Sequence, residues 1–401
     1  VDTTTPPSSD RPVDEQSAER AARWASTMSG HRIDGVALAH ADSWAATGTR
    51  EVVDRVARED AEAKHLAPHA SRATGAGDRV LAEEPDPFRT CFERDRDRIL
   101  HASAFRRLAG KTQVFVFPDD HQRTRLTHAL EVAQIARSVA SALGLNVALA
   151  EAIALGHDCG HGPGGHASED AFGIYLDDGY DHAVWGADET LVPLNLCSET
   201  LDGIRNHSWS RPAPGTPEGE VVSWADRIAY VCHDFEDAAA TGVVSPEMLP
   251  GLVADRCGLS RSSQLGTFVR AMVEATAQTG RVGMTSPIAE ALAEFRRFNY
   301  ENVYLRPESR AQADAVISLL RALVEHYAQH PASLPAAFIA ERAGRDDPVR
   351  AAVAWVSGMT DRFACSALSS STTPSIPPRS RRRSSPNGQD ATTRYGRQSL
   401  G

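Results

Sequence analysis

Few stretches restrict a chain as tightly as Ile153-Ala154-Leu155-Gly156-His157-Asp158-Cys159-Gly160-His161-Gly162-Pro163-Gly164-Gly165-His166-Ala167-Ser168-Glu169-Asp170. The run from Val147 to Leu155 has the length and apolar content of a buried helix. It ends in adjacent His and Asp, and five glycines with a proline then stop any regular element, since glycine is helix-poor and permits tight backbone paths. Three imidazoles and three carboxylates therefore fall within eighteen residues at the end of a buried helix. A fold that accepts this stretch has to bury the helix and still leave a polar, glycine-lined pocket at its mouth.

The flanking pattern is helical. Arg125-Leu126-Thr127-His128 opens a helix predicted to run to about Leu143, with His128, Val132, Ile135 and Val139 on its inward face. On its own His128 reads as a hydrogen-bonded core histidine. Earlier helices are expected near Ser17–Met28 and Glu51–Lys64. A stronger one begins at Phe92, where Ile99, Leu100, Phe105 and Leu108 keep helical spacing beside Arg94, Arg96, Arg98, Arg106 and Arg107. Later helices are expected at Leu196–Arg205, Val221–Ala239, Leu265–Thr279, Pro287–Phe298, Arg310–Gln329 and Val349–Ser366. Strand character is confined to a short alternating segment at 112–117. The fold class is all-α with at most a short strand or hairpin there.

Three segments follow from this reading: an N-terminal arm over 1–86, disordered at its start; a core over 87–366; and a disordered Ser/Pro/Arg-rich tail over 367–401. The net charge of −11 is uneven. Six arginines and one aspartate from Ser366 onward make the tail +5, which leaves −16 for residues 1–365. An acidic body argues against general nucleic-acid binding, with the basic tail as the one hint of a single-stranded DNA contact. The six scattered cysteines lack a C-x-x-C pair, no apolar run reaches membrane-spanning length, and the first residues lack signal-peptide character. A cytoplasmic location without membrane association is expected.

The Val221–Ala239 helix is the second informative stretch. At 100° per residue, Asp226, Tyr230, His233 and Asp237 share a sector of about 60°, and Arg227 and Asp234 widen it to about 120°. Apolar residues cover the remaining faces. Either the stripe is a solvated acidic face, or it lines an interior cavity, where buried carboxylates require a cation. Together, His128, His157, Asp158 and Asp226 offer two imidazoles and two carboxylates from three helices. Such a set suits a six-coordinate divalent ion such as Mg²⁺, Mn²⁺, Fe²⁺ or Co²⁺.

In this order the residues resemble the H…HD…D signature of the HD-domain phosphohydrolases, and more narrowly the deoxyguanosine triphosphate triphosphohydrolase group. The resemblance is carried by Phe92-Glu93-Arg94-Asp95-Arg96-Asp97-Arg98-Ile99-Leu100-His101, Phe105-Arg106-Arg107-Leu108, Lys111-Thr112-Gln113-Val114-Phe115 and Arg123-Thr124-Arg125-Leu126-Thr127-His128. His157-Asp158-Cys159-Gly160-His161, Gly165-His166, Ala225-Asp226 and Gly358-Met359-Thr360-Asp361-Arg362-Phe363 complete it. It spans about Pro87 to Ala364.

The resemblance implies a helical HD-domain enzyme that hydrolyses deoxynucleoside triphosphates to deoxynucleoside and inorganic triphosphate. His128, His157, Asp158 and Asp226 would hold the metal. His166 and Glu169 would form the catalytic His–carboxylate pair. Arg125, His161 and Arg227 would contact phosphates, Tyr230 and Asp234 the sugar, and Gln113 and His182 would join the substrate site. Relatives also imply a homo-oligomer such as a hexamer and an activating nucleotide at a second site. The rivals are another HD phosphohydrolase, acting on nucleoside monophosphates, cyclic nucleotides or alarmones, and a non-catalytic nucleotide- or DNA-binding regulator. Two departures stand out: Gly164 replaces the family's usual aromatic before Gly-His, and the sequence after Ala364 leaves the family pattern.

Overall fold

The computed structural model describes residues 13–27, 30–44, 47–48, 51–115, 122–342 and 347–371. The start of the chain and the arginine-rich tail beyond 371 lie outside them. Chain contacts divide the molecule into two units, Val1–Val52 and Val53–Gly401. The first holds a helix, Val13–Thr27, and an antiparallel hairpin of His31–Ile33 and Val36–Leu38. Asp34 and Gly35 between the strands both have positive φ, the turn geometry that Asp-Gly favours.

The regular elements of the second unit are all helices among its described residues. The anticipated strand near 112–117 is reduced, over 112–115, to one antiparallel bridge between Thr112 and Thr124, and 116–121 lie outside the description. Other partners claim this segment. The Lys111 ammonium donates to the carbonyls of His161 and Ser357, and Thr112 donates through its N–H and hydroxyl to Asp361.

The helix Arg125–Leu143 starts and ends as anticipated, after Thr124 and before Gly144 in the left-handed region. Behind it lies Val147–Gly156, opened by Asn146, whose side chain accepts from the Leu149 N–H. Cys91–His101, Ser198–Asn206, Pro217–Ala240, Gly251–Cys257, Arg261–Thr279 and Ser286–Asn299 pack around this pair to form the larger core. A smaller core joins Ala167–Phe172 to Pro307–Gln329, Pro348–Ser357 and Asp361–Ser371.

The last expected helix differs from the sequence reading for a physical reason. The single helix expected over Val349–Ser366 is two, broken at Gly358–Thr360. Its second half runs on to Ser371, because Ala367 and Leu368 pack on the smaller core. The arginines of Cys91–His101 are held by carboxylates: Arg94 and Arg98 by Glu83, Arg96 by Asp97 and Glu151. No helix among the described residues is long and apolar enough to cross a membrane.

Candidate metal and proton-transfer site

Glycine packing brings the site together. A Cβ on Gly156 would lie 2.5 Å from Ile204 Cδ1, and one on Gly203 would lie 2.3 Å from Ile153 Cδ1. Helices Val147–Gly156 and Ser198–Asn206 therefore approach more closely than alanine would permit. Each ends in a histidine that uses Nδ1–H to satisfy a free carbonyl of its own last turn. His157 donates to Ala154 at 2.7 Å and His207 to Ile204 at 2.8 Å. The two rings meet edge to face at 4.9 Å. Both Nε2 atoms are left as lone pairs facing the interior.

His128, His157, Asp158 and Asp226, proposed from sequence as one set, converge here. His128 Nε2 lies 3.0 Å from Asp226 Oδ1. His157 Nε2 lies 3.4 Å from Asp158 Oδ1 and 3.6 Å from Asp226 Oδ1, yet it is buried without a hydrogen-bond partner among the described residues. A buried imidazole nitrogen between two carboxylates is a donor set suited to a cation. Burial alone would lower the pKa of His157, but the Asp158 and Asp226 carboxylates raise it to about 9. A proton is thereby favoured where a metal ion would sit. The same imidazoles hold Asp226 well below the usual carboxylate range, against the effect of burial. His128, His157 and Asp226 can present one ligand atom each to a single ion, and so can His157, Asp158 and His207. The donor set fits a divalent metal.

A second group adjoins the first through Asp158. Its Oδ2 pairs with Arg125 at 2.7 Å, and its Oδ1 lies 3.2 Å from His161 Nε2. Gly165 has φ +63°, and a Cβ there would fall 2.7 Å from an Arg125 guanidinium nitrogen, so glycine makes room for that arginine. Glu169 Oε1 is the hub of this group. It lies 2.8 Å from His166 Nδ1, 2.9 Å from His182 Nδ1 and 3.8 Å from His161 Nδ1. His161 and His182 stack at 3.7 Å. His166 makes no capping bond to the Ala167–Phe172 helix; its side chain, 77% exposed, turns to Glu169 instead. Gly164 takes φ +73°, with its N–H on Asp361 and Val316 packed where a side chain would project. The substitution of glycine for an aromatic thus comes with a pinned backbone.

Arg227, Tyr230 and Asp234 follow Asp226 along the Pro217–Ala240 helix and meet other partners. Arg227 stacks 3.6 Å over the ring of Trp209, and burial lowers its pKa. The Tyr230 hydroxyl accepts from Arg296 Nε at 2.8 Å, and the Tyr304 hydroxyl donates to Asp234, whose pKa burial pushes up to about 7. Gln113 is half-buried, and its Oε1 takes no hydrogen bond from the described residues. The polar stripe of this helix divides. Asp237 is paired with Arg123, and His233 lies 3.0 Å from Glu131. His207, Trp209, Arg296 and Tyr304 were not anticipated. Each is a single residue of common type, and only Asn206-His207 at a predicted helix end offered a signal.

Residues 125–231 match the HD domain family, and residues 282–370 match the phosphohydrolase-associated domain family. A deoxyguanosinetriphosphate triphosphohydrolase-like protein of Caldanaerobacter subterraneus is 40% identical over 315 residues, covering 76% of this chain and 92% of its own. Proteins of the same name from Clostridium perfringens and Clostridium tetani are 39% and 34% identical, with 71% and 76% of this chain and 87% and 92% of their own length covered. The chain therefore belongs to the deoxyguanosinetriphosphate triphosphohydrolase-like family of HD-domain, metal-dependent phosphohydrolases.

Proposed function

We propose that the chain hydrolyses deoxynucleoside triphosphates, dGTP among them, to the deoxynucleoside and inorganic triphosphate. The observation that carries this reading is the junction of two groups on Asp158. One is a two-nitrogen, two-oxygen donor set, and the other is a hydrogen-bonded His166–Glu169 pair within the same glycine-rich turn. His128, His157, Asp158 and Asp226 would hold a divalent ion, with Mg²⁺, Mn²⁺, Co²⁺ and Fe²⁺ as the candidates. Such an ion, when bound, supplies Lewis acidity: it acidifies a water and offsets charge on a phosphoryl oxygen.

The remaining steps belong to side chains. Glu169 orients His166 through Nδ1, so that the exposed imidazole can deliver a proton to the leaving 5′-oxygen. Arg125 and Arg227 suit the polyphosphate because guanidinium groups bind phosphate bidentately. His161 joins them at the phosphates, and Gln113 and His182 complete the substrate site. Tyr230 would close over C2′ and exclude a ribose hydroxyl, while Asp234 would accept from the 3′-hydroxyl. A homo-oligomer, activation by a second nucleotide and a single-stranded DNA contact extend the same reading.

The test is a panel of the four deoxynucleoside and four ribonucleoside triphosphates with each candidate metal, with and without a second nucleotide, assayed for the product. Inorganic triphosphate from deoxynucleotides is the expected result. Release of orthophosphate or pyrophosphate instead would replace this reading with another HD phosphohydrolase activity.

A further inference from the structure

The Glu169 hub holds more nitrogen than proton transfer requires. Three imidazole Nδ1 atoms converge on one carboxylate oxygen, and the four ligand atoms all lie within 4.8 Å of one another. His161 is 1% exposed, and its Nδ1 has no hydrogen-bond partner among the described residues. Its Nε2 faces Asp158 Oδ1 at 3.2 Å and is the nitrogen that carries the proton there. Nδ1 is therefore a lone pair, and it faces Glu169 Oε1 at 3.8 Å, an acceptor opposite an acceptor.

His182 is oriented in the same sense by a neighbour. His207 donates Nδ1–H to Ile204, so its Nε2 is an acceptor, and it lies 3.3 Å from His182 Nε2. His182 Nδ1 is hydrogen-bonded to Glu169 Oε1 at 2.9 Å, and an ion that replaces the proton there leaves His182 with its N–H on Nε2, opposite the His207 acceptor. Two of the three imidazoles thus have a fixed acceptor beside the outward nitrogen. Metal-ligating histidines are oriented in this way. The exposed His166 closes the group on its solvent side and offers a path of entry.

We propose that His161, His166, His182 and Glu169 form a second metal site, distinct from the HD cluster, that takes a borderline transition ion such as Zn²⁺. Three imidazole nitrogens and one carboxylate oxygen make a four-coordinate set of the kind zinc accepts. Mg²⁺ prefers an octahedron of oxygens and is a poor match. An ion here occupies the Nδ1 of His166 and the carboxylate that orients it, so it withdraws the pair from proton transfer. This inhibitory consequence rests on the proposed function, whereas the binding does not.

The experiment counts zinc. The purified full chain is stripped with chelator, loaded with Zn²⁺, desalted and measured by inductively coupled plasma mass spectrometry, with affinities from competition against a zinc-binding dye. Two ions per chain are expected in the wild type. One is expected after Asp226→Asn, and one after His166→Ala or His182→Ala. His166→Ala removes an exposed side chain and leaves the core intact. Co²⁺ at the second site should give the intense visible bands of a four-coordinate ion, and these should vanish in His166→Ala. A single zinc that disappears with Asp226→Asn would overturn the proposal. So would two ions held with unchanged affinity after both histidine substitutions, since surface histidines would then be the ligands. With Mg²⁺ in the HD cluster, Zn²⁺ should slow triphosphate release at least tenfold, reversibly on chelation. Two bound ions with undiminished turnover would overturn the inhibitory role. No turnover with any metal would fall on the functional reading alone, because the zinc count needs no substrate.

Discussion

Lys111 provides the sharpest test of the energetics around the site. Its ammonium is buried against the carbonyls of His161 and Ser357, with no carboxylate in salt-bridge contact among the described residues. Burial is the main cause that lowers its pKa to about 7, with the nearby Arg107 adding to it. At 1.36 kcal/mol per pH unit, the fall from 10.5 to about 7 corresponds to about 5 kcal/mol. Below pH 7 both folded and unfolded chains carry the proton, and the full cost of burying the charge is present. Between about 7 and 10.5 the unfolded chain holds a proton that the folded chain has shed, so stability rises with pH. Above that range the contribution is flat. Lys111→Met removes the titration. It also leaves two carbonyls without a donor, but that loss does not depend on pH and shifts the difference without tilting it. Urea unfolding of wild type and variant from about pH 6.5 to about 10 measures the tilt: wild type should gain about 4 kcal/mol on the variant across the range. A difference that stays constant with pH would show that Lys111 keeps one protonation state throughout and refute the reasoning.

Four further outcomes are expected. Asp158→Ala should abolish turnover and the HD-cluster metal, seen as the loss of one ion per chain by mass spectrometry; unchanged metal content would remove it from the ligand set. His166→Ala should retain the HD-cluster metal and lose about 10²–10⁴ in rate, the scale of a general acid, whereas a near-normal rate would free His166 of that role. Asp361→Ala leaves the Thr112 and Gly164 N–H groups and the Thr112 hydroxyl without their acceptor; it should cost at least ~3 kcal/mol in urea unfolding, with Asp361→Asn intermediate. A Cβ on Gly160 would lie 2.0 Å from the His182 carbonyl oxygen and 2.4 Å from Gly186 N; Gly160→Ala should cost about 1–3 kcal/mol or more, and an unchanged urea midpoint would show that the His182 segment moves freely.

What the sequence made legible here is what a residue owes to its near neighbours. The Arg125–Leu143 helix could be read to both ends because its apolar spacing, its opening Thr124 and its closing Gly144 all lie within the segment. His166 and Glu169, three positions apart at a helix start, could be paired through the family resemblance. The hairpin at 31–38 was legible too, since Ile33-Asp34-Gly35-Val36 carries its turn chemistry, and it went unread beside the larger helical pattern. The Gly358–Thr360 break was not: apolar spacing continues across it, and the helix restarts at Asp361, whose carboxylate binds Thr112 and Gly164 from distant parts of the chain. His207 is the more telling case. Its place beside His157 depends on Gly156 and Gly203 letting two helices approach, and its place beside His182 depends on the turn that Asp181 caps by accepting from the Ala183 N–H. No spacing rule links positions 157, 182 and 207. The nitrogens that carry protons in this site are chosen by the carbonyls of Ala154 and Ile204 and by the carboxylate of Asp158, which only the packed backbone brings within reach. Ligand types can therefore be proposed from a motif, whereas the tautomers that decide whether those ligands accept a proton or a metal ion are set by packing.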